Sequence, residues 1–76
     1  MEATVENIKQ LIQKGMPEAQ VIVNGDGRHF EAKIVSREFV GKSRIQRHQL
    51  VYKFLGDSMK EDIHAISIST ITPEEN

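Results

Sequence analysis

The run "AQVIVNGDGRHFEAKIVS", Ala19 to Ser36, constrains the fold most, because two β-rich segments flank a glycine-containing loop. Gln20 to Val23 and Phe30 to Ser36 therefore read as the strands of a β-hairpin. Side chains alternate across a strand, so Phe30, Ala32 and Ile34 share a core face, while His29, Glu31 and Lys33 share a mostly wet one.

Helical patterns flank the hairpin. Val5, Ile8, Leu11 and Ile12 recur at helical spacing, Thr4 suits an N-cap, and Gly15 with Pro17 supplies the stop, which predicts a helix from Val5 to Lys14. Ser43 stands three residues before Gln46, the arrangement of a capping box, and predicts a helix running to about Leu55. Ile45, His48, Val51, Tyr52 and Leu55 fall within one arc of it, with Leu50 and Phe54 beside them, so His48 is expected inside an apolar stripe. Gly56 ends this helix, "DSMKEDI" predicts a further helical turn, and "HAISISTI" alternates as a last strand from His64 to Thr70. Pro73 with Glu74 and Glu75 starts a final helical turn.

The expected fold is α+β, in the order α-β-β-α-α-β. A strand, a helical crossover and another strand run parallel in one sheet, so the last strand belongs beside the second or the first. The result is a three-stranded mixed sheet with helices packed on one face.

The 76 residues make one domain, 1–76, without room for a deep substrate cavity. A chain of this size buries only about 60% of its unfolded surface. With no cysteine, neither a disulfide nor a thiolate of its own can serve it, and any thiolate in its function must come from a partner. Apolar runs such as Val21 to Val23 are far below the roughly 20 residues of a membrane span, and no basic-then-apolar leader opens the chain, so a soluble cytoplasmic protein is expected. Net charge is -1, which argues against a general nucleic-acid coat. Charge is nonetheless uneven: Arg37 to Lys53 carries five cations against Glu38 (+4), and Asp57 to Asn76 carries five acids against Lys60 (-4). Such asymmetry can orient an encounter with a partner.

Three chemical readings meet in "FVGKSRIQRHQLVY". A phosphate-binding loop would need a glycine five residues before Gly41, where Ser36 stands, so Gly41 reads as a turn and Ser43 as a cap. No nucleophile accompanies the histidines at a spacing that predicts a catalytic set, and no enzymatic activity is expected. His48 reads as a packing residue. His29 closes the hairpin loop and His64 opens the last strand, so a parallel pairing of those strands would bring both to one sheet end, where two imidazoles could meet a metal.

The letters "GDGRHF", "F-x-G-K-S", "RHQLVY" and "IHAISI…TITPEE" together resemble the BolA family in its short bacterial form, over nearly the whole chain. The resemblance implies a fold like the type II KH domain, consistent with the element order above. It also implies a partner, a monothiol glutaredoxin with a Cys-Gly-Phe-Ser site. In such pairs a 2Fe-2S cluster is bridged by the glutaredoxin cysteine, a glutathione thiol and histidine from the BolA-like chain, and serves cluster trafficking or iron regulation. The family's C-terminal ligand falls on His64, in "IHA". Its loop ligand, a histidine or cysteine, aligns nearest Asp26, and His29 close by is the better donor for iron than a hard carboxylate.

No cluster is expected on the isolated chain, which should be a monomer or a weak homodimer. Lys42, Arg44, Arg47 and Lys53 are expected to form the surface that docks a partner or nucleic acid. BolA-like proteins are also discussed as DNA-binding regulators, the alternative reading. The Gly-x-x-Gly clamp of KH domains is not matched, since "VGKSR" has one glycine.

Overall fold

The computed structural model describes residues 4–56 and 65–75. Helix α1 (Val5–Gly15) is followed by strands β1 (Gln20–Gly25) and β2 (His29–Val35), helix α2 (Arg44–Leu55) and strand β3 (Ala65–Ile71), with short 3-10 turns at Arg37–Phe39 and Pro73–Glu75. The helical turn expected at "DSMKEDI" falls outside the described residues. The sheet has the order β1-β2-β3, with β1 antiparallel and β3 parallel to β2.

Each helix starts where local chemistry puts it. The Thr4 side chain accepts the Asn7 N–H at 3.0 Å and opens α1. At α2 the Ser43 hydroxyl accepts the Gln46 N–H at 3.2 Å while the Gln46 side chain accepts the Ser43 N–H at 2.9 Å, a complete capping box. Before it, Gly41 takes a φ of +80°, which few other residues adopt, and the chain turns there. The Arg37–Phe39 turn, which apolar periodicity does not reveal, is capped by Ser36. That buried hydroxyl donates to Glu18 at 2.6 Å and accepts the Glu38 N–H at 3.0 Å.

One face of the sheet carries the core. Phe30, Ala32 and Ile34 are buried together with Val21 and Val23 of β1, against Ile8 and Ile12 of α1 and Val51 and Leu55 of α2. His29, Glu31 and Lys33 lie on the other face and are exposed, as alternation requires. The apolar stripe expected on α2 is narrower than its sequence suggests: Ile45 is 70% exposed and Tyr52 39%, leaving Val51 and Leu55 as its buried residues. Ile45 stands in the first turn and Tyr52 on a flank, and the helix meets the core through its C-terminal half. His48 is half-buried, its ring set edge-on to Tyr52 at 6.3 Å.

Candidate functional site

The candidate residues among the described ones fall in two places, the rim of the sheet at the hairpin loop and the surface of α2 with the turn before it.

At the rim, Asp26 organises the loop. Its carboxylate accepts the N–H groups of Arg28 and His29, each at 2.9 Å, and its own N–H donates to the His29 carbonyl at 3.2 Å. Gly27 between them has a φ of +98°, which completes the tight turn. Those two backbone donors, His29 first, hold the Asp26 carboxyl below its ordinary range. Asp26 is therefore engaged in building the turn, and the exposed ring of His29 is left as the loop's nitrogen donor. His29 borders a shallow depression of about 220 Å³ with Asn24, Gly25, Asp26 and Glu31.

The parallel register sets His29 opposite Ala65. His64, the preceding residue in the chain, lies outside the described residues. Among the described residues no group of three or more His, Asp or Glu side chains could hold a metal. Imidazole nitrogen suits iron, and a 2Fe-2S centre takes four ligands in all. Cysteine-free, this chain can supply part of such a set only through imidazole.

On α2 and the turn before it, Lys42, Arg44 and Lys53 are exposed. Lys42 Nζ donates to the Glu38 carbonyl at 3.0 Å, an internal partner in place of a phosphate. Arg47, expected on the docking surface, is mostly buried, with its side chain 16% exposed. Its Nε donates to the carbonyls of Phe39 (3.1 Å) and Lys42 (3.0 Å), and its Nη1 donates to the Thr70 carbonyl (3.1 Å) and Glu75 (3.0 Å). It thus acts mainly as an internal tether.

Glu75 completes that tether by accepting the Thr72 N–H at 2.8 Å, and this bond, followed by the Thr72 side chain and then by Arg47, keeps its carboxyl below the ordinary range. Sequence reading missed the tether. A signal existed in Thr72 followed three residues later by Glu75, the spacing of a capping box, but its partner Arg47 is far away in sequence.

The family model described as BolA-like protein matches residues 3–75. The chain belongs to the BolA family. A BolA homologue from Coxiella burnetii has the same fold at a TM-score of 0.85 and 47% identity, with 96% of this chain and 95% of that one covered. The DNA-binding transcriptional regulator BolA of Haemophilus influenzae is 39% identical over 51 residues, covering 67% of this chain and 50% of that protein. SufE-like protein 1 of Arabidopsis thaliana is 49% identical over 47 residues, 62% of this chain but 13% of that protein. The BolA-like region thus spans half or less of these two curated relatives. Among the described residues of this BolA-family chain, no helix is long and apolar enough to cross a membrane.

Proposed function

We propose that this BolA-family chain is a non-enzymatic, cytoplasmic partner of a monothiol glutaredoxin, and that it contributes imidazole ligation to a 2Fe-2S cluster shared with that partner and glutathione. The observation that carries this reading is the register of β2 on β3, which sets His29 opposite Ala65, the residue that follows His64. In this reading His64 and His29 are the chain's ligands, and thiolates from the partner and glutathione supply the rest. The cluster itself would provide one-electron chemistry or a transferable iron-sulfur unit.

The chain's own part is positional. Asp26 pins the backbone of His29 through two N–H groups, and the β2–β3 ladder holds the start of β3 beside it. A neutral imidazole ligates and a protonated one does not, so binding would weaken toward acid. The test is to mix the chain with a monothiol glutaredoxin, iron, sulfide and glutathione and record visible absorption and circular dichroism. The expected result is a spectrum distinct from that of the glutaredoxin alone. An unchanged spectrum would remove the reading.

A second reading, DNA-binding regulation, is favoured by the name of the Haemophilus influenzae relative and by the exposed Lys42, Arg44 and Lys53. It would show as duplex binding that weakens steeply between two salt concentrations, as phosphate contacts do.

A further inference from the structure

Among the described residues, the outer edge of β3 is an unfilled strand position beside a cation. The Ile71 carbonyl accepts the Ser36 N–H at 2.9 Å, which turns the backbone of Ile71 toward β2. The Thr70 carbonyl points the opposite way, since it accepts from Arg47 on α2. Residues two apart share a direction in a strand, so Ile68 and Ile66 also present their N–H and carbonyl groups to the outer edge. No strand pairs with that edge among the described residues.

Along this edge runs a groove of about 380 Å³ between β3 and the N-terminal half of α2, lined by Arg44, His48 and Ile68 to Ile71. Arg47 closes one end by occupying the Thr70 carbonyl. Arg44 is exposed and forms no ion pair among the described residues. Ile45, also exposed, stands beside it on α2.

We propose that this groove receives an extended acidic peptide segment of a partner protein, added to the sheet as a fourth strand along β3. The Ile68 N–H and carbonyl and the Thr70 N–H would pair with the peptide backbone at the ordinary strand spacing of about 4.8 Å. Alternate peptide side chains would then face α2, where an acidic residue meets Arg44. A peptide backbone repeats every two residues, as these edge groups do, which favours a peptide over a nucleic-acid strand for the site. The proposal does not depend on the cluster reading, because it uses neither His29 nor His64.

The experiment is a nuclear magnetic resonance titration of the isotope-labelled chain with a capped peptide of alternating threonine and glutamate, about eight residues long. A peptide with lysine for glutamate and a thymidine oligonucleotide serve as the other arms. The glutamate peptide should shift the Ile68 and Thr70 amides and slow their hydrogen exchange, and the lysine peptide should bind about tenfold more weakly. Arg44→Glu should invert that preference, and Arg44→Gln should abolish it. The two peptides also test the charge on the unaltered chain. Shifts confined to the open sheet face, equal binding of both peptides, or occupation of the Ile68 and Thr70 amides by the oligonucleotide in preference to the glutamate peptide would each overturn the proposal.

Discussion

Arg47 and Thr70, 23 positions apart in the chain, are joined by a hydrogen bond of 3.1 Å from the guanidinium Nη1 to the main-chain carbonyl. The same nitrogen pairs with Glu75 at 3.0 Å, so one side chain of α2 ties the last strand and the closing turn to the turn before the helix.

Arg47→Ala should lower unfolding free energy by about 2 kcal/mol, since it leaves partly buried carbonyls at Phe39 and Thr70 without their charged donor. Arg47→Lys should recover only part of this, because an ammonium cannot reproduce the planar fork that reaches several acceptors. Urea unfolding of the three chains measures both effects. Charge reversal at Arg47 would consequently report stability, and Arg44, which is exposed, is the cleaner probe of docking.

Glu75 predicts a dependence on acid. Its folded carboxyl titrates below the ordinary glutamate value, so between the two values the unfolded chain binds more protons and stability rises with pH. The contribution is full above the ordinary value and is lost as pH falls through the lowered one. Thermal melts of the native chain and Glu75→Gln, followed from about pH 6 down to about pH 3, should converge. A gap that stays constant would contradict the ionic part of the tether.

Ser43→Ala should cost about 1 kcal/mol by removing one half of the capping box, with partner choice unaltered. Denaturant midpoints and a binding titration on the same sample check the two halves of that statement.

Gly15→Ala would ordinarily strengthen a helix by about 1 kcal/mol. Here a Cβ would overlap the ring of Phe54, which packs partly buried over the end of α1. The expected outcome is a net loss of about 1 to 3 kcal/mol in a melt, as overpacking brings. A gain would show that the ring moves aside freely.

Much of this architecture was legible because its causes are local. The capping box at Ser43 lies within four residues, and the alternation of β2 needs only its own side chains. The burial of α2 was less legible. Ile45 and Tyr52 fit the apolar arc by angle, yet nothing in their spacing tells that the helix meets the sheet mainly through Val51 and Leu55. The role of Arg47 was hidden for a related reason, since its acceptors lie on Phe39, Lys42, Thr70 and Glu75, and a cation in a basic run reads as solvated until those carbonyls are placed. At the rim, the parallel pairing of the last strand with the second was legible and sets His29 opposite Ala65, while His64, which the sequence suggested at the same sheet end, lies outside the described residues; the engagement of Asp26 in the turn needed the hairpin geometry.

The most direct test of the central claim is the visible circular dichroism of the mixed complex with glutaredoxin, recorded for the native chain and for His64→Ala, His29→Ala and His48→Ala, with a thermal melt of each. The account predicts that His64→Ala alters the cluster spectrum or makes it labile while the melt is retained, that His29→Ala acts in the same direction to a smaller or similar extent, and that His48→Ala, whose ring packs on Tyr52, lowers the melt before it touches the spectrum. An unchanged spectrum in a folded His64→Ala complex would contradict it.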